Sequence, residues 1–319
     1  MFTDDAKAVI ALTTRLGSSR RPSLSPVGWH RLESGLGEHG LRPVDLFETT
    51  RSVRDMPGLP GELVDAVESL LADAGAATTE AVRLSGRGIW VLTIADLDYP
   101  PQLRRRLGLS APPVLFGVGE RGLLGISGFG VVGSREVDEA GAGVAEAAAD
   151  RAARMGRPVV SGGARGVDRL AMDAAHRAGG PVVGVLADSL VARIRGSETL
   201  TALDEHPICL VTQQSPSSGF TAAAAMARNK IVYGLSTVTL VVACAEGSGG
   251  TWAGATEALR TGNGTIAIWR GAGEASGNEA LERRGAVAVT DLEQIDVLLA
   301  VPAASSEPEP PQPVQLGLL

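Results

Sequence analysis

The residues of this chain whose types and spacing could do chemistry are glycines and arginines gathered in three short turns. The first is Gly133, Ser134, Arg135; the second, SGGARGVD, runs from Ser161 to Asp168; the third, EGSGGTW, runs from Glu246 to Trp252. Glycine leaves backbone amides uncovered, and in the first two turns Arg135 and Arg165 stand beside them. Bare amides and a forked guanidinium are the groups that hold a phosphate, whether of a nucleotide or of a nucleic-acid strand. The same glycines also suit tight strand-to-helix packing with no ligand at all. No turn has the G-x-G-x-x-G spacing of a dinucleotide site or the G-K-S/T of a P-loop. Other chemistry finds less support. His30, His39, His176 and His206 are scattered without metal-ligand spacing, so neither a metal nor a cofactor is expected. Cys209 and Cys244 lie in the apolar runs ICLV and VVACA and read as buried, reduced thiols. Asp168, opening a helical pattern, reads as an amide-capping carboxylate rather than a catalyst.

These turns need strands and helices to hold them, and from Gly128 onward the chain supplies both. Apolar runs recur at Gly128 to Val132, Pro158 to Val160, Pro181 to Leu186, Ile208 to Thr212, Val238 to Cys244 and Thr265 to Trp269. Ala-rich helical segments alternate with most of them, notably Val137 to Met155, Val167 to Ala178 and Trp252 to Arg260. Strands buried on both faces and separated by helices predict an α/β fold: an extended Rossmann-like, doubly wound, mostly parallel sheet. Each glycine turn then follows a strand and precedes a helix, at the carboxyl edge of the sheet, where helix N-termini present unpaired amides.

Residues 1–85 form a small helical domain, 86–300 the Rossmann-like domain with its connector, and 301–319 a disordered proline-rich tail. The connector carries strands at Trp90 to Ile94 and Val114 to Val118. Within the helical domain, Met56 to Gly75 resembles half of a helix-hairpin-helix, but with a single copy an ordinary interhelical turn is the preferred reading. A net charge of −7 argues against a protein that coats nucleic acid over its whole surface, and leaves room for a local basic stripe. No membrane span and no basic signal segment is read at the N-terminus, so a cytoplasmic location is expected.

The segments LTIADLDYPPQL, PPVLFGVGE, GVVGSREV, VVSGGARGVDRLA, GGPVVGVL, RNKIVYGLS and LVVACAEGSGGT follow one another in an order that resembles the DNA processing protein A family, also called Smf. The resemblance implies a non-catalytic protein that binds single-stranded DNA, forms a homodimer, and helps load RecA recombinase during uptake of transforming DNA. It implies phosphate contacts from Gly133, Ser134 and Arg135, from Ser161, Gly162, Gly163, Arg165 and Gly166, from Arg228, Asn229 and Lys230, and from Ser248, Gly249 and Gly250. Lys230 is the more plausible ligand contact of its motif, and Asn229 an orienting group. Trp252 and Tyr233 are the aromatics nominated for base stacking, with core packing as the equal alternative.

The chain departs from the family pattern in several places. Gly163 replaces a leucine and Met172 a histidine, with His176 one turn later. The last loop drifts toward the G-G-x-G-T turn of lysine-decarboxylase-like nucleotide hydrolases, although Gly254 stands where their glutamate would. A nucleotide sensor or N-glycosidic hydrolase, with Glu246 or Glu257 as the acid or nucleophile, is therefore the competing expectation. No winged helix is read after the Rossmann-like part. The terminal QLGLL instead resembles a sliding-clamp docking peptide, with Gln315, Leu316, Leu318 and Leu319 as its anchors; chance accounts for so short a match equally well.

Overall fold

A computed structural model describes residues 2–17, 22–47, 53–56 and 58–300. The proline-rich tail, with Gln315, Leu316, Leu318 and Leu319, lies outside the described residues, as does Pro57 of the turn before the Gly61–Leu71 helix.

Among the described residues the apolar runs, the two connector strands and one short further segment form nine strands of one sheet: β1 (Trp90–Thr93), β2 (Val114–Gly119), β3 (Gly128–Val132), β4 (Val159–Ser161), β5 (Val182–Val185), β6 (Ile208–Thr212), β7 (Ser236–Val241), β8 (Thr265–Trp269) and β9 (Val287–Val289). Their order is β1-β2-β6-β5-β4-β3-β7-β8-β9. β2 pairs antiparallel with β1 and β6, and every other pair is parallel. Every residue of β3, β5 and β6 is buried, which is why these strands read as unbroken apolar runs. The doubly wound α/β sheet expected from the sequence is the observed fold.

The chain steps from β3 outward through β4 and β5 to β6, then returns through the Ala222–Leu235 helix to β7 on the other side of β3. Right-handed crossovers therefore put the Glu139–Arg154 and Val167–Arg177 helices on one face and the Ala222–Leu235 and Gly249–Thr261 helices on the other. Strand order reverses between β3 and β7, so a crevice opens beyond their carboxyl ends. Caps fix where the flanking helices begin. Asp138 accepts a hydrogen bond from the Gly141 N–H, and Thr221 from the Ala224 N–H. Alanines 145, 148, 149, 152 and 153 form the buried stripe of the Glu139–Arg154 helix.

Among the described residues four α-helices precede the sheet, Asp4–Thr13, Pro26–Glu38, Gly61–Leu71 and Ala74–Ser85, around the fully buried Ile10, Leu12, Trp29, Leu32 and Val67. Glu33 joins this layer to Arg104 of the Pro101–Leu107 helix at 3.0 Å. Both cysteines are buried and unpaired, and burial pushes the Cys244 thiol up to about 11. Among the described residues no helix is long and apolar enough to cross a membrane.

Candidate nucleic-acid interface

The three glycine turns meet at the strand-order reversal and wall a crevice of about 430 Å3, lined by Ser134, Arg135, Ala164, Arg228, Ser248 and Gly249 among others. Hydrogen bonds brace the turns against each other. Val167 N–H donates to the Ser134 carbonyl at 3.2 Å, and Ser134 N–H to the Ala243 carbonyl at 2.8 Å. Thr251 Oγ1 donates to the Gly133 carbonyl at 2.9 Å, tying the third turn to the first. Gly166, at φ +83°, lets the second turn press on the first: a Cβ there would lie 2.3 Å from the Ser134 carbonyl oxygen. Asp168 sits at the centre. Its carboxylate accepts from Arg228 Nη1 at 3.1 Å and from the backbone N–H groups of Ala164 and Gly133. Burial raises the Asp168 carboxyl above its ordinary range, and Arg228 and the two amides oppose that rise.

What remains open on this scaffold is suited to an anion. Ser248 is the N-cap of the Gly249–Thr261 helix and its side chain makes no capping bond, so the first amides of that helix face the crevice with the positive end of its dipole. Arg135 is exposed, its guanidinium 5.8 Å from the centre of the Phe220 ring. Arg165 is 77% exposed, with Glu136 at 3.8 Å its nearest acid. The Tyr233 hydroxyl and Arg228 Nε line or adjoin the crevice, buried and without a hydrogen-bond partner among the described residues. Farther out the charge is balanced: Arg135, Arg165 and Arg169 share a shallow depression with Glu136, Asp138 and Asp173.

The family model of DNA recombination-mediator protein A matches residues 90–299. The chain belongs to that family. The crystal structure of DNA processing protein A from Streptococcus pneumoniae aligns with a TM-score of 0.66 at 20% identity, over 93% of this chain and 98% of that one. DNA processing protein A from Helicobacter pylori, whose single-stranded DNA binding mode is the subject of its structure, aligns at 0.55 and 21% identity, over 66% of this chain and 95% of that one. No curated protein matches the chain.

Several residues that the family resemblance assigns to phosphate contact are occupied inside the protein. Ser161 is fully buried and donates to the Val131 carbonyl at 2.6 Å. Gly162 is glycine because the Arg228 guanidinium lies where its Cβ would be, 0.8 Å from Nη1. Arg228 itself is 6% exposed and committed to Asp168. Asn229 Nδ2 donates to the Gly250 carbonyl at 3.1 Å, the orienting role expected for it. Lys230 pairs with Glu257 at 2.9 Å and lines a different depression, beside Leu107 and Gln213. The physical reason is the helix: Arg228, Asn229 and Lys230 are consecutive on Ala222–Leu235, so successive side chains fan out in different directions. Gly163, at φ +64°, packs near the Met172 sulfur and not in the crevice. Gly133, Ser134, Arg135, Ser248, Gly249 and Gly250 line the crevice; Arg165 and Gly166 line the adjoining depression.

The aromatic expectations also change. Trp252 is 9% exposed with Arg284 over its ring at 4.8 Å, and Tyr233 is 2% exposed, so neither ring is free to stack. Phe220, 55% exposed, is the aromatic beside Arg135, and sequence reasoning missed it. Its signal was a lone large apolar residue in the polar stretch SPSSGFT just ahead of a helix cap. His176 stacks edge-on against His206 at 4.2 Å and takes no part in the crevice. Glu246 does not line it either, and Gly254 stands against the Tyr233 ring, where a Cβ would lie 3.0 Å away.

Proposed function

We propose that this chain binds single-stranded DNA in the crevice between β3 and β7 and acts, without catalysis of its own, as a recombination mediator that passes the strand to RecA recombinase. The observation that carries this reading is the pairing of Arg135 and the Ser248–Gly250 amides with the exposed Phe220 ring. A guanidinium and a helix N-terminus hold a phosphate; a neighbouring ring stacks a base. The buried Asp168–Arg228 pair contributes rigidity, since it holds the first two turns in one arrangement. Homodimerisation, uptake of transforming DNA as the setting, a cytoplasmic location and clamp docking through the tail belong to the same reading. The competing hydrolase draws less support from the geometry. Glu257 is engaged by Lys230, and Asp168, the one carboxylate lining the crevice among the described residues, is neutralised by Arg228.

Fluorescence anisotropy with labelled oligo-dT and with free nucleotides, each titrated with salt, tests the proposal. Oligo-dT binding is expected to weaken linearly in log–log form with salt, and Arg135→Ala with Arg165→Ala to abolish it. Salt-independent binding, or release of free base from a nucleotide, favours the hydrolase instead.

A further inference from the structure

A second cleft, of about 790 Å3, lies where the N-terminal helices meet the sheet. Its walls are the segment just after the Asp4–Thr13 helix, the Ala74–Ser85 helix with the turn beyond it, and the segments that follow β5 and β6. Four arginines line it, Arg15, Arg83, Arg87 and Arg195, against the single acid Glu80. Glu80 is taken by Arg83 at 2.8 Å. Arg15, Arg87 and Arg195 are exposed and have no ion-pair partner among the described residues, in a chain whose net charge is −7 and where most other arginines are paired. Three unpaired guanidinium groups around one concavity repel each other, and an anion seated among them relieves that repulsion. The floor is apolar: Leu16 and Leu84 are buried, with Val191 and Pro216 beside them. An apolar floor under a guanidinium rim fits a nucleotide unit of a polymer, base and sugar below, phosphate above.

The cleft and the crevice are linked by one loop at the carboxyl edge of the sheet. Ser215 and Ser217, in the cleft wall on either side of Pro216, follow the carboxyl end of β6, and the same loop carries Phe220 to Arg135. β6 and β3 are three strand positions apart, which at about 4.8 Å per step is about 14 Å along one edge of the sheet. We propose that this arginine cleft is a second site for the phosphate backbone of single-stranded DNA, holding the stretch of strand that leaves the crevice past Phe220. The inference rests on the crevice being the primary DNA site.

Anisotropy with the full chain and labelled oligo-dT of about 6 and about 25 nucleotides separates the two claims. Arg87→Glu with Arg195→Glu is expected to weaken the long oligonucleotide at least tenfold and to leave the short one within twofold. The Gln versions of both, which remove charge without reversing it, reduce the log–log salt slope for the long oligonucleotide by about 1.4, or about 0.7 for each phosphate no longer neutralised. Reversal at Arg260 and Arg283, exposed arginines outside the cleft, leaves both lengths unchanged. Circular dichroism melts verify that each variant is folded. The cleft proposal is overturned if the Arg87 and Arg195 variants bind the long oligonucleotide as the parent does, or if the Arg260 and Arg283 control weakens it equally. Loss of both lengths only with Arg135→Ala and Arg165→Ala then leaves the crevice standing without the cleft, whereas a parent protein that binds neither length removes the primary reading itself.

Discussion

Gly162→Ala isolates the contact that braces the crevice. A Cβ at position 162 would lie 0.8 Å from Arg228 Nη1, 1.9 Å from Cζ and 2.7 Å from Nη2, so the guanidinium must leave. It has nowhere equivalent to go, because its partner Asp168 is 5% exposed and the two side chains are 8% and 7% exposed. Separating a buried ion pair costs about 3–5 kcal/mol, offset by about 0.4–1 kcal/mol because alanine narrows the unfolded ensemble. The expected net loss is about 2–4.6 kcal/mol, which a domain stable by about 5–15 kcal/mol survives. Gly163→Ala is the neighbouring control. Its Cβ would meet nothing closer than the Met172 sulfur at 3.8 Å, so only the strain of φ +64° remains, about 1 kcal/mol. Urea unfolding of Gly162→Ala, Arg228→Ala and the double variant reads the coupling. Once Arg228 is truncated the added methyl finds space, so the double variant is expected to fall short of additivity by about 3 kcal/mol. Additivity within about 0.5 kcal/mol refutes the reasoning.

Three further outcomes rest on individual side chains. Phe220→Ala is expected to weaken oligo-dT binding by about 1–3 kcal/mol in anisotropy while the salt slope and the melting temperature stay unchanged, since the ring is 55% exposed and carries no charge. Asn229→Ala frees the Gly250 carbonyl, lowering stability by about 1 kcal/mol and speeding amide exchange in the third turn, read by hydrogen-exchange mass spectrometry. The His30 hydrogen bond, with Arg104, holds the Glu33 carboxyl below its ordinary 4.5 despite burial, so its contribution is present above that pH and lost as pH falls through the lowered value. Urea unfolding should therefore find Glu33→Gln less stable than the parent by up to about 1 kcal/mol at pH 7, with the gap narrowing as pH falls below the ordinary carboxylate range.

Much of this architecture is legible in the sequence because two-sided burial writes itself as apolar runs. β3, β6 and β8 fall on the residues that periodicity marks, and the helices after β3 and β4 agree to within a few residues. β9 is only three residues long and partly exposed, too short to register as a run. The Ala222–Leu235 helix is the consequential omission: apolar residues spread around its circumference give it little amphipathic contrast, and without it the directions of Arg228, Asn229 and Lys230 could not be read. Spacing identifies which turns converge. It cannot tell a glycine that admits a ligand from one that admits the protein's own arginine, because Gly162 and Gly249 look alike until Arg228 is seen lying over the first.

The central claim is that the mouth of the crevice between β3 and β7 receives a phosphate of single-stranded DNA. A crystal structure of this chain with oligo-dT tests it most directly. The account predicts a phosphate about 3 Å from the Arg135 guanidinium and the Ser248–Gly250 amides, with a base against Phe220. A strand held on another face, with Arg135 turned to solvent and the crevice empty, contradicts it.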